Sequence, residues 1–194
     1  GLLALTALAP RLAKDGYAAQ NLAVAGVFIL RLAPAILVGP VAGVVADRLD
    51  RRWTMVVCDV CRFALFLSIP LVGQLWWLFV ATFLVECVGL FWIPAKEASV
   101  PNLVRKDQLE SANQVSLVTT YGITPVAAAL VFSLLALLTR VLADRFEFFN
   151  ANRVDLALYI NAATFLVSAL TVMRIRRISG RSAGKTRPLI QLAA

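Results

Sequence analysis

The sequence predicts an all-α membrane protein of six transmembrane helices, the first of them truncated. Three observations lead to this fold class. Of the 194 residues, 60% are hydrophobic and only 15% are charged, a composition too apolar for a water-soluble domain of this size. The hydrophobic residues form long uninterrupted runs. The basic residues gather in every second connection between those runs.

Five apolar runs are long enough to cross a bilayer as helices. Each has roughly 18 to 25 residues, which at about 1.5 Å per residue spans about 30 Å of hydrocarbon. Runs of this length without alternation are typical of helices and not of barrel strands. The opening residues 1–10 are too short to cross and lack the basic start of a signal peptide, so we expect the end of a truncated first span there. The five runs are Leu22–Ala46, Trp53–Val72, Leu75–Ile93, Val115–Leu138 and Leu156–Met173.

The positions of the Lys and Arg residues predict the orientation in the membrane. If the second span ends in the cytoplasm, twelve basic residues lie in cytoplasmic segments and five outside, as the positive-inside rule requires. The net charge of +8 is then mainly an orientation signal. The twelve are Arg48, Arg51, Arg52, Lys96, Arg105, Lys106, Arg174, Arg176, Arg177, Arg181, Lys185 and Arg187, and the five are Arg11, Lys14, Arg140, Arg145 and Arg153.

The same pattern sets the expected domain organisation. Residues 1–178 are expected to form a transmembrane bundle of the cell membrane, and residues 179–194 a basic cytoplasmic linker close to the anionic leaflet. No aromatic residues interleave with the basic ones of this linker, so a nucleic-acid partner is not expected.

Two connections between spans carry further information. Only Gly73 and Gln74 separate the third and fourth spans, which must therefore be antiparallel neighbours. The connection at residues 94–113 is longer and amphipathic, and we expect a short helix lying at the membrane face there.

Enzyme chemistry finds little support in the sequence. Histidine is absent, which excludes Ser-His and Cys-His catalysis and His-ligated metal sites within this chain. Cys58 and Cys61 have redox-motif spacing but lie in a predicted membrane helix, and residues 180–186 resemble a phosphate-binding loop with the wrong spacing and no preceding strand. The chain is expected not to be an enzyme and to hold neither cofactor nor metal.

The stretch GVVADRLDRR, residues 43–52, resembles the Gly-x-x-x-Asp-Arg-x-Gly-Arg-Arg motif of the major facilitator superfamily. That motif lies in the loop between the second and third spans, as it does here. The family usually has Gly at the position of Asp50, whereas the enterobactin-exporter-like branch often has Asp there, as this chain does. Residues 91–114 are similar to a segment of the same branch. The matching residues are Gly43, Asp47, Arg48, Arg51 and Arg52.

The resemblance implies that the chain is the N-terminal six-helix half of a twelve-span carrier, built from two inverted three-helix repeats. It implies transport of a small molecule, of the multidrug or metabolite efflux type, by alternating access. The coupling ion stays open, with protons as one candidate. The expected partners are the bilayer, the small-molecule substrate and the C-terminal six-helix half, which the motif would contact as a gate. The amino-acid sequence of the spans is also similar to that of the membrane portion of actinobacterial proteins in which such a transporter is fused to a thymidylate kinase. A membrane anchor or regulatory module for that kinase is therefore the alternative function.

Four charged residues lie inside the predicted spans. Counting along the second and fourth spans places Arg31 and Glu86 at similar depth, where an unpaired ion costs several kcal/mol, so they either meet or face water. They are interpreted as a pair that lines a cavity and whose acid, Glu86, carries a coupling proton. The alternative is a fixed ion pair that only joins the two helices. Asp59 and Arg62 are three residues apart on one helix face and are predicted to tether the third span to the motif, the alternative being a direct role in transport.

Prolines and glycines predict two flexible spans. Pro34 and Pro40 on the second span, and Gly122 and Pro125 on the fifth, interrupt or weaken the helical hydrogen-bond ladder. We expect both helices to bend there. Exporters of the resembled superfamily usually carry further glycines on the fifth span, and this chain lacks them, which argues against proton-driven antiport.

Overall fold

The computed structural model describes residues 2–13, 16–46, 49–143 and 153–175, and every element within these ranges is helical. Five stretches are long and apolar enough to cross a membrane, and a shorter apolar helix precedes them. The predicted fold class, an all-α membrane protein, is confirmed. The helices are α1 (Leu2–Leu12), α2 (Gly16–Leu37), α3 (Gly39–Ala46), α4 (Arg51–Val72), α5 (Leu75–Leu103), α6 (Leu109–Leu117), α7 (Thr124–Ala143) and α8 (Arg153–Arg174), with a 3-10 turn at Lys106–Gln108 and a π-helical turn at Val118–Ile123.

Helices α4 and α5 form a tight hairpin. The side chain of Asp50 accepts a hydrogen bond from the backbone N–H of Trp53 at 3.1 Å and so caps the N-terminus of α4. Gly73 ends α4 in the left-handed conformation, with φ of 61°, and its N–H donates to the carbonyl of Ile69. The predicted antiparallel pairing of these two spans is confirmed by their close packing.

The second span is a helix in two parts. It begins at Gly16, six residues before the predicted start, and is interrupted at Val38 between α2 and α3. The N–H of Val38 still donates to the carbonyl of Pro34, so the hydrogen-bonded path continues across the interruption. The interruption lies between Pro34 and Pro40, the two prolines at which a bend is predicted.

The prediction for the segment after Ile93 is wrong. Helix α5 continues through Pro94 and Pro101 to Leu103, and no separate helix occupies residues 94–103. Tertiary contacts outweigh the local cost of the prolines, because Ala95 is buried against Met55 of α4. The fourth span is therefore 29 residues long, and the connection to the next helix is only the short stretch up to α6.

Helix α4 lies at the centre of the bundle, packed against α8 and α5, while α2 packs on α5 and α1 lies against α2 and α8. The largest buried side chains include Ile69, Leu78 and Leu158. Trp53 and Trp76 are exposed near opposite ends of the α4–α5 hairpin, the placement that membrane proteins use for interfacial aromatic residues. We call the end where α4 begins, at Arg51 and Arg52, the basic end.

The fifth span lies apart from this core. It comprises α6, the π-helical turn and α7, and it touches α5 and α8 at only a few positions. Large apolar side chains along it are more than half exposed. The described part of the chain thus leaves one whole helix nearly uncovered. These exposed side chains are Val115, Leu117, Val118, Tyr121, Ile123, Val126, Leu130, Val131, Leu134 and Leu137.

Candidate functional site

Arg31 and Glu86 form an ion pair between two helices of the bundle. The Arg31 Nε donates to Glu86 Oε1 at 2.6 Å, joining α2 to α5. Charge-assisted hydrogen bonds of this length are among the stronger polar contacts in proteins. Both side chains are nevertheless about one-third exposed, at 34% and 30%, so the pair lies at an open face of the described bundle and not in its core.

Asp59 is the most deeply buried charged residue in the described part of the chain, with a side chain only 1% exposed. Its Oδ2 accepts a hydrogen bond of 2.6 Å from the hydroxyl of Ser168 on α8. The nearest nitrogen of Arg62, Nη1, lies 4.0 Å from Oδ1 of the same carboxylate. Asp59 therefore fastens α4 to α8. Asp47 and Arg48 of the motif lie outside the described residues, so the tether from Asp59 to the motif stays a prediction.

Arg62 lies between aromatic side chains of two other helices. Its guanidinium carbon is 5.5 Å from the ring centroid of Trp92 on α5 and 5.5 Å from that of Phe165 on α8, within the range of cation–π attraction. Gly89 makes room for it, since a Cβ on Gly89 would lie 2.7 Å from Arg62 Nη2. The buried Nε of Arg62 has no hydrogen-bond partner.

The motif residues fall partly outside the described ranges. Gly43 lies in α3, Arg51 and Arg52 are the first residues of α4, and Asp47 and Arg48 are not described. Arg52 Nη2 donates to the backbone carbonyl of Met173 in the last turn of α8. A positive charge is favourable there, because the final carbonyls of a helix carry partial negative charge and lack partners within the helix.

The helix-bend residues of the fifth span lie at an irregular turn. Gly122 is within the π-helical turn, and Pro125 follows it in the first turn of α7. The Thr124 hydroxyl donates to the carbonyl of Thr119, five residues back, at 2.7 Å. The irregular turn thus lies where Gly122 and Pro125 weaken the ladder, since Pro125 has no N–H to donate.

Four residues of this arrangement were not anticipated: Ser168, Trp92, Phe165 and Gly89. A serine in an apolar span is a signal that sequence alone offers, because a membrane helix seldom carries a hydroxyl without a partner. For the aromatic pair and the glycine the sequence offers no such signal, since phenylalanine, tryptophan and glycine are common in membrane helices.

Comparison with known proteins relates this helical bundle to a family of membrane proteins. A sequence model of the family described as "transmembrane secretion effector" matches residues 12–124, more than half of the chain. The chain belongs to the major facilitator superfamily. It is a multi-pass membrane protein of a transporter family, and the curated relatives that it matches are named as transporters or as an exporter.

The chain is similar to several bacterial facilitator-type transporters. It is 28% identical to the uncharacterized MFS-type transporter YfiS of Bacillus subtilis over 74% of this chain and 31% of that protein. It is 31% identical to BacE of the same organism, whose name assigns it provisionally to bacilysin export, over 78% of this chain and 35% of that protein. It is 30% identical to the uncharacterized MFS-type transporter Rv0037c of Mycobacterium tuberculosis over 52% of this chain and 24% of that protein.

These alignments also set the extent of the likeness. The chain spans about a quarter to a third of the length of the curated relatives it matches. No solved structure matches it.

Proposed function

We propose that this chain forms the N-terminal half of a small-molecule exporter of the cell membrane that works by alternating access. Membership of the superfamily supports transport, and the likeness to a protein named as an exporter supports the direction. The basic end is the cytoplasmic side in this proposal, because positive residues favour that side. The substrate would bind near the middle of the membrane, between this half and a C-terminal six-helix half.

The observation that carries the proposal is the Arg31–Glu86 contact. A charged side chain in the middle of a membrane costs about 2.5–3.5 kcal/mol even on the scales that give the lowest values. Apolar side chains would therefore join two helices at a lower cost in free energy. Arg31 and Glu86 are also partly exposed, which places their charges at an open face where a transport path would run. Glu86 is suited to carry the coupling proton, because protonation would remove its charge and release Arg31.

The uncovered fifth span supports a C-terminal half as partner. Large apolar side chains of α7 such as Leu130 and Leu134 are more than half exposed, and in the described ranges few residues of other helices touch α7. Another helical bundle would bury this face, as small and apolar helix faces do in membranes.

The arginine-rich motif supplies the gate in this proposal. Ion pairs that form in one state and break in the other give a contact with two stable arrangements. Asp47 is the acid of this motif, and we assign it to pairing with the opposite half when the cytoplasmic side is closed.

The test is transport by the full-length protein in proteoliposomes, with and without a proton gradient, comparing the unmodified protein with Glu86→Gln. We expect gradient-driven flux to fall at least about tenfold in the variant. A tenfold fall corresponds to a free-energy difference of about 1.4 kcal/mol. Glu97→Gln is the matched control, because Glu97 is an exposed acid on the same helix and flux should be retained. Undiminished proton-driven flux in Glu86→Gln would remove Glu86 from coupling.

A second candidate is a membrane anchor or regulatory module for a thymidylate kinase, with transport reduced. The observation that favours it is the fifth span, which keeps Pro125 but has Ile123 and Val126 beside it instead of glycines. Absence of any flux from a folded full-length protein, together with kinase activity that depends on the membrane bundle, would favour this candidate.

A further inference from the structure

Arg62 is a largely buried cation, with a side chain 13% exposed, whose nearest acid is not close. Asp59 lies 4.0 Å away, and the shortest hydrogen bond to Asp59 comes from Ser168 and not from Arg62. The Nε of Arg62 is buried without a hydrogen-bond partner. Because Coulomb attraction falls with distance while the cost of burial stays, this guanidinium is only partly compensated where it lies.

Glu86 is a second carboxylate on the helix against which Arg62 packs. Gly89 follows Glu86 by three residues and so shares its face of α5, with about 5–6 Å between the two Cβ positions. Arg62 Nη2 lies 2.7 Å from the place that a Cβ on Gly89 would take. The guanidinium therefore packs against α5 about one helical turn from Glu86, on the helix that already holds Arg31.

We propose that Arg62 is the alternative counter-ion of Glu86. While Arg31 holds Glu86, Arg62 rests against the rings of Trp92 and Phe165. When the Arg31–Glu86 contact opens, Glu86 turns to Arg62 and stays compensated. The acid then leaves Arg31 without becoming an isolated ion in the membrane, which lowers the cost of opening.

The exchange has a mechanical consequence, because the two arginines lie on different helices. Arg31 is on α2, and Arg62 is on α4, which Asp59 joins to α8. Moving Glu86 from one to the other loosens α5 from α2 and tightens it to the α4–α8 pair. Arg62 is thus a positioning residue for Glu86, and this role does not depend on which molecule is transported.

The test is a mutant cycle on the melting temperature of the purified full-length protein in nanodiscs. Arg31→Gln and Arg62→Gln are measured alone and together, and the double variant should lose more than the sum of the single losses, because only then does Glu86 lack both cations. In a Glu86→Gln background this excess should vanish. A strictly additive double variant, or an excess that persists without the Glu86 charge, would overturn the proposal.

Lys96→Gln is the matched charge control, because Lys96 lies 5.8 Å from the same Trp92 ring and its loss also removes one positive charge. Combined with Arg31→Gln it should be additive, and an excess as large as that of Arg62→Gln would overturn the proposal.

If Arg62→Gln does not fold, Gly89→Ala takes its place, since the added Cβ displaces the guanidinium but keeps its charge. Gly39→Ala serves as its control, because nothing lies within 4 Å of a Cβ there. Gly89→Ala should show the excess with Arg31→Gln and Gly39→Ala should not. Additivity of Gly89→Ala with Arg31→Gln contradicts the proposal, and it would leave the transport proposal standing because no flux is measured.

Discussion

At the scale of single residues, the hydrogen bond from Ser168 to Asp59 is the polar contact with the largest expected effect on stability. Its acceptor is a carboxylate with a 1% exposed side chain, so without the hydroxyl one of its oxygens loses its closest donor. We expect Ser168→Ala to lower the free energy of unfolding by about 1–2 kcal/mol, measured by denaturant titration in bicelles.

Ser116→Ala is the control for this prediction. The Ser116 hydroxyl receives only a long contact of 3.4 Å from Lys96 and lies at the edge of the bundle. Its loss should change the free energy of unfolding by less than about 0.5 kcal/mol. Equal effects of the two substitutions would show that Asp59 does not depend on Ser168.

Sequence reasoning located the charged residues better than their partners. Counting residues along two spans placed Arg31 and Glu86 at one depth, because a helix rises by a fixed amount per residue, and the two side chains do meet. The partner of Asp59 is 109 residues away, and no local rule selects one serine of α8 over the other polar residues of the bundle.

At the scale of helices, Gly73 determines how closely α4 and α5 can be joined. Its φ of 61° belongs to the left-handed region, which costs a residue with a Cβ about 1–2 kcal/mol. We expect Gly73→Ala to lower the free energy of unfolding by about that amount. Gly39→Ala has no positive φ and no neighbour within 4 Å, so it should be neutral or slightly stabilising, and a loss at both positions would contradict the argument.

The interruptions of the helices were predictable only where several signals coincide. Pro34, Gly39 and Pro40 lie within seven residues, and the second span is interrupted among them. At Pro94 the sequence suggested a helix end, yet α5 continues, because Ala95 packs on Met55 of α4. A proline weakens a helix locally, and packing that is distant in sequence decides whether the helix ends.

At the scale of the whole molecule, the motif at the basic end predicts a change in the balance of states. Asp47→Asn should favour opening at that end, because the proposed ion pair with the other half is lost. We would measure labelling of a single cysteine at the exposed Val45 by an impermeant maleimide, in a full-length protein with Cys58, Cys61 and Cys87 replaced. Labelling should rise several-fold in the variant.

Asp107→Asn is the matched control, since Asp107 is an exposed acid at the same end, 3.4 Å from Arg105. It should leave the labelling rate unchanged. An unchanged rate in Asp47→Asn would speak against a gate at this motif and would leave Arg51 and Arg52 as orientation signals.

The contact between Arg52 and the carbonyl of Met173 joins the beginning of α4 to the last turn of α8. The hydrogen bond from Ser168 to Asp59 joins the same two helices at a second level. Two polar contacts at different heights oppose both sliding and rotation of one helix against the other. In a rocking motion of the bundle, α4 and α8 should therefore travel together as one rigid unit.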